Sequence, residues 1–233
     1  MAPIDRIFII SLERRRDRFQ RIYKELYARR LEHLVVPVLA TDGRDLPPSV
    51  ANKPTGWHFS VGERGCFDSH RKVWQMVVNM GCDNALILED DMKCTNLDSA
   101  LGVIEPYNHD SLNIGVYETY NMERTSDGTF VADLTKESSG AVGAGAYTVT
   151  PKAAQAFLDG CKDMFPMHVD HYISTHPVIQ QHVFLPSLLD IYWDNTSDTN
   201  PETHAVSANK CNWIPLAFIT LLAALAIYFF TRK

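Results

Sequence analysis

Ala85-Leu86-Ile87-Leu88-Glu89-Asp90-Asp91 is the stretch that decides the reading of this chain: four apolar residues run straight into three acids. An uninterrupted apolar run of that length suits a strand buried on both faces, as in α/β sheets. Three adjacent carboxylates at its end repel one another and lose hydration, a cost that a cation or several donors would offset. In open α/β sheets ligands sit beyond the carboxyl ends of the strands, where these acids fall. Hard oxygen ligands suit Mn2+ or Mg2+, ions commonly shared with a substrate's phosphates. A solvated acidic turn is the plainer alternative, and the buried strand before it counts against it.

Outward from this point the apolar periods alternate between strand-like and helix-like. Upstream, Val73, Met76, Val77 and Met80 form one face of a helix that Gly81 stops. That helix is expected to begin near Asp68 or Ser69, behind Gly62-Glu63-Arg64-Gly65-Cys66-Phe67, so that its first N–H groups could meet an anion. The plainer reading makes Ser69 an N-cap and His70 a surface residue. Asp42–Gly62 reads as loop and Leu34–Leu39 as a strand. Phe19, Ile22, Tyr23, Leu26 and Tyr27 make an amphipathic helix. It follows Arg14-Arg15-Arg16-Asp17-Arg18, which in turn follows a buried strand at Ile7–Ile10. Arginines in that position can clamp a diphosphate, or simply solvate a helix start.

Downstream, Leu112–Val116 and Ala144–Val149 read as strands, and Thr119–Gly140 as a polar loop. Thr150 then Pro151 begins a helix with Ala154, Phe157, Leu158 and Cys161 on its apolar face. Gly140, Gly143 and Gly145 lack the strand–glycine–helix order of a phosphate fingerprint. The alternation predicts one α/β domain over residues 1–193 with a mostly parallel sheet.

His168-Val169-Asp170-His171, with His176 beyond, invites a transition-metal hydrolase built on His168, Asp170 and His171. No fourth ligand follows at a recognised spacing, and Asp170 as a solitary functional carboxylate is the better reading. Five cysteines, at 66, 82, 94, 161 and 211, form no CxxC pair and read as free, mostly buried thiols of a reducing compartment.

Together these segments resemble glycosyltransferase family 25, which includes lipooligosaccharide glycosyltransferases and collagen galactosyltransferases. The similarity runs from Ile7-Phe8-Ile9-Ile10-Ser11-Leu12 with Arg14 and Arg18, through Ala40-Thr41-Asp42-Gly43, to Gly65-Cys66, Ser69-His70 and Trp74. It continues through Ala85–Asp91, Gly145-Ala146-Tyr147 and Ala153-Ala154 to Val169-Asp170. The resemblance implies a GT-A-like, Rossmann-type domain that moves galactose or glucose, with inversion, from a UDP-sugar to a glycan or protein hydroxyl. It makes Glu89 and Asp91 the pair that holds Mn2+ (or Mg2+), with Arg14, Arg18, Ser11, Ser69, Asp90 and Tyr147 around the donor. Asp170 is the first candidate for the base and His70 the second. Where this chain has Ser11 the family usually has asparagine, so the nucleotide contact there departs from the pattern. A catalytically silent glycan- or nucleotide-binding module of the same fold is the alternative.

Asp194–Asn212 is polar and reads as a linker. Residues 213–230 carry no charge and, as a helix, span about 27 Å, enough for a bilayer's hydrocarbon. With no signal peptide in front, a C-terminal tail anchor is expected, the domain on the cytosolic side and the lumen as the alternative. Asn195-Thr196-Ser197, a glycosylation sequon, distinguishes the two. The chain is acidic, with formal net charge −6, which argues against a nucleic-acid partner.

Overall fold

The apolar runs become strands covered on both faces. The computed structural model describes residues 3–47, 59–136, 138–162 and 165–192. Strand β1 (Arg6–Ser11) is followed by a 3-10 turn and helix α1 (Arg16–Ala28), then β2 (Val35–Leu39), α2 (Val61–Met80) and β3 (Ala85–Glu89). Helix α3 (Leu97–Ile104) leads to β4 (Ser111–Asn113), and four short strands follow: β5 (Glu118–Tyr120), β6 (Met122–Arg124), β7 (Phe130–Ala132) and β8 (Gly140–Val142). The described chain closes with β9 (Ala146–Val149), α4 (Pro151–Gly160), α5 (Val169–Ser174) and β10 (His182–Val183).

Side chains alternate across a strand, so β1 feeds two cores. Phe8 and Ile10 join Ile87, Tyr147 and Val149 under α2 and α4, where Phe67, Trp74, Val77 and Phe157 are fully buried. Ile7 and Ile9 join Leu86, Leu88 and Leu112 on the other face, covered by Ile22 and Leu26 of α1 and by Leu97, Ala100 and Ile104 of α3. Burial on both faces explains why these strands are apolar without a polar alternation.

The eight strands lie in the order β2-β1-β3-β9-β4-β10-β7-β6, with β5 and β8 paired apart. The α/β class holds, but the sheet is mixed rather than mostly parallel. β2, β1 and β3 are parallel, whereas β9 runs antiparallel to both β3 and β4. Hairpins supply the reversals: Thr119–Gly140, expected as loop, holds β6 and β7 and pairs Glu118–Tyr120 with Gly140–Val142. Three-residue strands carry too little alternation to register as strands in sequence.

Helix α2 also departs from expectation, starting at Val61 rather than near Asp68. Ser60 accepts from the Glu63 amide and Glu63 reaches back to the Ser60 amide, a reciprocal capping box. Gly81 closes the helix in the left-handed conformation, as expected, and Thr150 caps α4 with Pro151 in its first turn. No helix among the described residues is long and apolar enough to cross a membrane. The linker expected at 194–212 and the apolar run at 213–230 lie outside the described residues.

Candidate functional site

Register builds the site. Ile10 of β1 pairs with Glu89 of β3, so the chain brings Ser11 out beside Asp90 at the carboxyl edge of the sheet. The Ser11 hydroxyl donates to Asp90 Oδ2 at 2.6 Å. Arg18, buried in the first turn of α1, stands 3.6 Å from Asp90 Oδ1, and Arg21 one turn on donates to the Asp90 carbonyl at 2.9 Å. Asp91 Oδ1 is buried with no hydrogen-bond partner. The Asp91 carbonyl accepts from the Tyr192 amide at 2.6 Å, closing the segment after β10 over the acids.

Helix α2 supplies the opposite wall. Cys66, His70 and Trp74 fall four residues apart on one face. His70 has no exposed surface, and its Nε2 lies 3.0 Å from Glu89 Oε1 while its Nδ1 lies 2.9 Å from the Tyr147 hydroxyl. Trp74 Nε1 donates to that hydroxyl at 2.9 Å, and because the Glu89 carboxylate can only accept, His70 Nε2–H points at it. The Cys66 thiol donates to the same Glu89 oxygen at 3.4 Å.

These contacts divide the acids electrostatically. Burial pushes Glu89 up, but the His70 and Cys66 hydrogen bonds with the Arg18 charge outweigh it, and its carboxyl lies below the usual range. Burial, only partly offset by Ser11 and Arg18, pushes Asp90 up to about 6. Burial and the charges of Glu89 and Asp90 push Asp91 up to about 7. Separation of this kind among neighbouring carboxyls marks functional sites more often than structural ones.

Asp170 lies in the first turn of α5, its Oδ2 accepting from the Gly143 amide at 3.1 Å and its Oδ1 from the His171 amide at 2.7 Å. Gly143 has φ +109, and a Cβ there would come 2.9 Å from the Tyr117 ring. Burial raises the Cys66 thiol and the Tyr117 phenol, and the charges of Glu89, Asp91 and Asp170 raise both further. The charges of Asp170 and of the acids at the end of β3 thus reach the same two side chains, Cys66 and Tyr117.

Of the residues read from sequence, the structure brings Ser11, Arg18, His70, Glu89, Asp90, Asp91, Tyr147 and Asp170 around one sheet edge. Arg14 is bonded instead to Asp42 at 2.5 Å. Ser69 is no N-cap: in mid-helix, it donates to the Gly65 carbonyl at 2.6 Å and accepts from the Thr41 amide at 2.8 Å. His70 is no surface residue either. The histidines around Asp170 do not converge: His168 faces Glu63 at 3.5 Å, and His176 accepts from the Val178 and Ile179 amides. The four described cysteines are free. Cys66, Tyr117 and Arg21 were not singled out for the site; only the spacing of Cys66 four residues before His70 pointed to one of them.

The donor set suits a hard divalent cation. Glu89 is ionised, and Asp91 has a buried oxygen without a partner and a charge that burial alone leaves costly. Asp90 is held by Ser11 and Arg18 and anchors the other two.

The family described as Glycosyltransferase family 25 (LPS biosynthesis protein) matches residues 4–173. Probable inactive glycosyltransferase 25 family member 3 of Bos taurus is 34% identical over 99 residues, which cover 38% of this chain and 17% of that protein. Procollagen galactosyltransferase 1 of Danio rerio is 31% identical over 101 residues, covering 38% of this chain and 16% of that one. The chain thus spans about a sixth of the length of these curated relatives. Among solved structures, HddC from Yersinia pseudotuberculosis overlaps at TM-score 0.37 and 13% identity, covering 77% of this chain and 69% of that chain, too loosely to bear on the fold.

Proposed function

The chain belongs to glycosyltransferase family 25, and from that premise we propose a metal-dependent, inverting transfer of galactose or glucose from a UDP-sugar to a glycan or protein hydroxyl. The domain is GT-A-like in this reading. The observation that carries it is the buried, unpartnered Asp91 oxygen beside an ionised Glu89 at the carboxyl edge of β3. The name of the Danio rerio relative supports galactose as the sugar.

Glu89 and Asp91 would hold Mn2+ or Mg2+, which when bound neutralises charge developing on the diphosphate as a Lewis acid. His70 keeps Glu89 oriented and ionised, and Asp90 fixes the turn through Ser11, Arg18 and Arg21. Inversion follows from direct displacement: the acceptor oxygen bonds to the anomeric carbon as that carbon's bond to the UDP oxygen breaks. The acceptor proton goes to Asp170, whose backbone donors aim its carboxylate into the site. The apolar run 213–230 tethers the domain to a membrane, with the domain on the cytosolic side; glycosylated Asn195 would put it in the lumen.

A silent binding module is the competing reading, favoured by the engagement of Ser11 with Asp90 and by the word inactive in the name of the Bos taurus relative. The deciding experiment measures UDP release from a panel of UDP-sugars with Mn2+, with and without chelator, for the chain and Asp91→Ala. Chelator-sensitive release from one donor, lowered at least about 100-fold in Asp91→Ala, is expected. No release from any donor, together with UDP binding indifferent to Mn2+, would leave the silent module.

A further inference from the structure

Three side chains far apart in sequence meet at the opposite edge of the sheet from the acidic cluster. His109 precedes β4, Asp127 sits in the turn between β6 and β7, and His182 opens β10. Ser111 lies level with Ala85 through their common partner Val149, so His109 lies beyond the start of β3 while Glu89 lies at its end. One nitrogen of each ring and one carboxylate oxygen stand within 4.8 Å of one another.

Each of the three is prepared as a ligand. Asp127 Oδ1 accepts from the Thr125 hydroxyl at 2.5 Å, the Thr129 amide at 3.0 Å and the Thr129 hydroxyl at 2.7 Å, which fixes the carboxylate. Its Oδ2 faces His109 Nε2 at 2.8 Å, yet that nitrogen is buried and makes no hydrogen bond. Thr129 Oγ1 also lies 2.7 Å from His182 Nδ1, a hydrogen bond that orients the ring. A second partner that orients the ring is the usual companion of a metal-bound histidine.

We propose that His109, Asp127 and His182 bind one divalent transition-metal ion, zinc in preference, and that this ion pins the β6–β7 hairpin to the β4–β10 edge. Two imidazoles and one carboxylate, completed by water, form a common zinc set, whereas the all-oxygen acids at the other edge suit Mn2+ or Mg2+. Such a clamp would add to the single ladder pair, Val183–Phe130, that joins β7 to β10. The two rings stack 3.4 Å apart and 8° from parallel, so in-plane coordination by both requires them to fan open.

The test uses the full chain carrying Glu89→Gln, which takes the carboxylate from a second group whose ligand atoms lie within 4.8 Å of one another, Cys66, His70 and Glu89. After stripping with chelator, it is dialysed against zinc and its metal counted, with Co2+ absorption and melting temperature as further readouts. One equivalent is expected, with a visible Co2+ band and a raised Tm. Adding Asp127→Asn or His182→Ala should weaken zinc at least about tenfold and abolish the band, without changing the far-UV circular dichroism. Asp127→Asn keeps the shape of the turn and so separates lost ligation from lost folding. Zinc retention equal in the parent and in Asp127→Asn would overturn the site, as would no retention in the parent.

Discussion

A histidine without exposed surface, bonded at both nitrogens, has no free position from which to take an acceptor's proton, and His70 is such a residue. Its work is on Glu89, which burial pushes up and its hydrogen bond pulls down. His70→Ala removes the downward pull and leaves the burial, so Glu89 protonates at higher pH. The acid limb of the pH–rate profile should move upward, and the Mn2+ requirement should rise at least about tenfold. Asp170→Asn should instead lower kcat by about 10² to 10⁴, the usual worth of a general base, with Mn2+-dependent UDP binding intact. An unmoved acid limb in His70→Ala, or full activity in Asp170→Asn, would reassign the two. The acids were legible because a buried strand ran into them, Arg18 because it follows the neighbouring strand, and Ser11 only through the family resemblance. Arg14 and Ser69 carried the same signals but bond within the protein, because Asp42 and Thr41 lie opposite them. Nothing local in sequence shows such partners. Tyr117 stayed hidden because its place depends on the β5–β8 pairing.

Helix α2 carries Cys66 and His70 to the site, and its seat against the turn Gly43–Asp45 sets their height. A Cβ on Gly65 would stand 2.5 Å from the Thr41 carbonyl and 2.7 Å from the Gly43 amide nitrogen, backbone atoms that cannot swing away. Gly102 in α3 meets nothing within 4 Å. The same substitution should therefore have opposite signs in two helices. Gly65→Ala should destabilise by about 1 to 3 kcal/mol through overpacking, and also impair activity. Gly102→Ala should stabilise by about 0.4 to 1 kcal/mol through the unfolded chain. Ser60→Ala, which opens the capping box, should cost about 1 kcal/mol. Denaturant midpoints check all three, and a harmless Gly65→Ala would show that the turn yields. At this scale β1, β2, β3, α1 and α4 were legible to within a residue or a turn, since each strand is a continuous apolar run and each helix shows a clear apolar period. The start of α2 was missed because the Ser60–Glu63 box lies inside a stretch otherwise read as loop. The antiparallel half of the sheet was missed because strands of three residues are defined by their neighbours.

For the whole molecule, the raised carboxyls of the acidic cluster make stability depend on pH, and under the proposed function on metal as well. The folded pKa of Asp91, about 7, lies above its value in an unfolded chain, near 3.9, so the folded state binds the extra proton between the two. Stability from this group is full below the lower value and is lost as pH rises through the upper one. Asp90, at about 6, acts in the same direction. His171, His176 and His182 act oppositely, because burial lowers them below the unfolded value near 6.5; their effect is common to the natural chain and to Asp91→Asn, so the difference between the two isolates Asp91. Without added metal, Asp91→Asn should therefore gain in Tm over the natural chain as pH rises from 6.5 to 8. If Mn2+ binds the ionised carboxylates as proposed, its own stabilisation should grow over the same interval. At a hundredfold excess over Kd it amounts to about 2.7 kcal/mol, or about 5 to 10 °C in a domain of this size. Asp91→Asn should lose that gain. Thermal melts of both proteins at pH 6.5 and 8, with and without Mn2+, give the comparison. A Tm difference between them that is flat with pH and indifferent to Mn2+ would mean that Asp91 is already compensated inside the protein. The cluster would then be an anchor for the turn rather than a site that sacrifices stability to hold an ion.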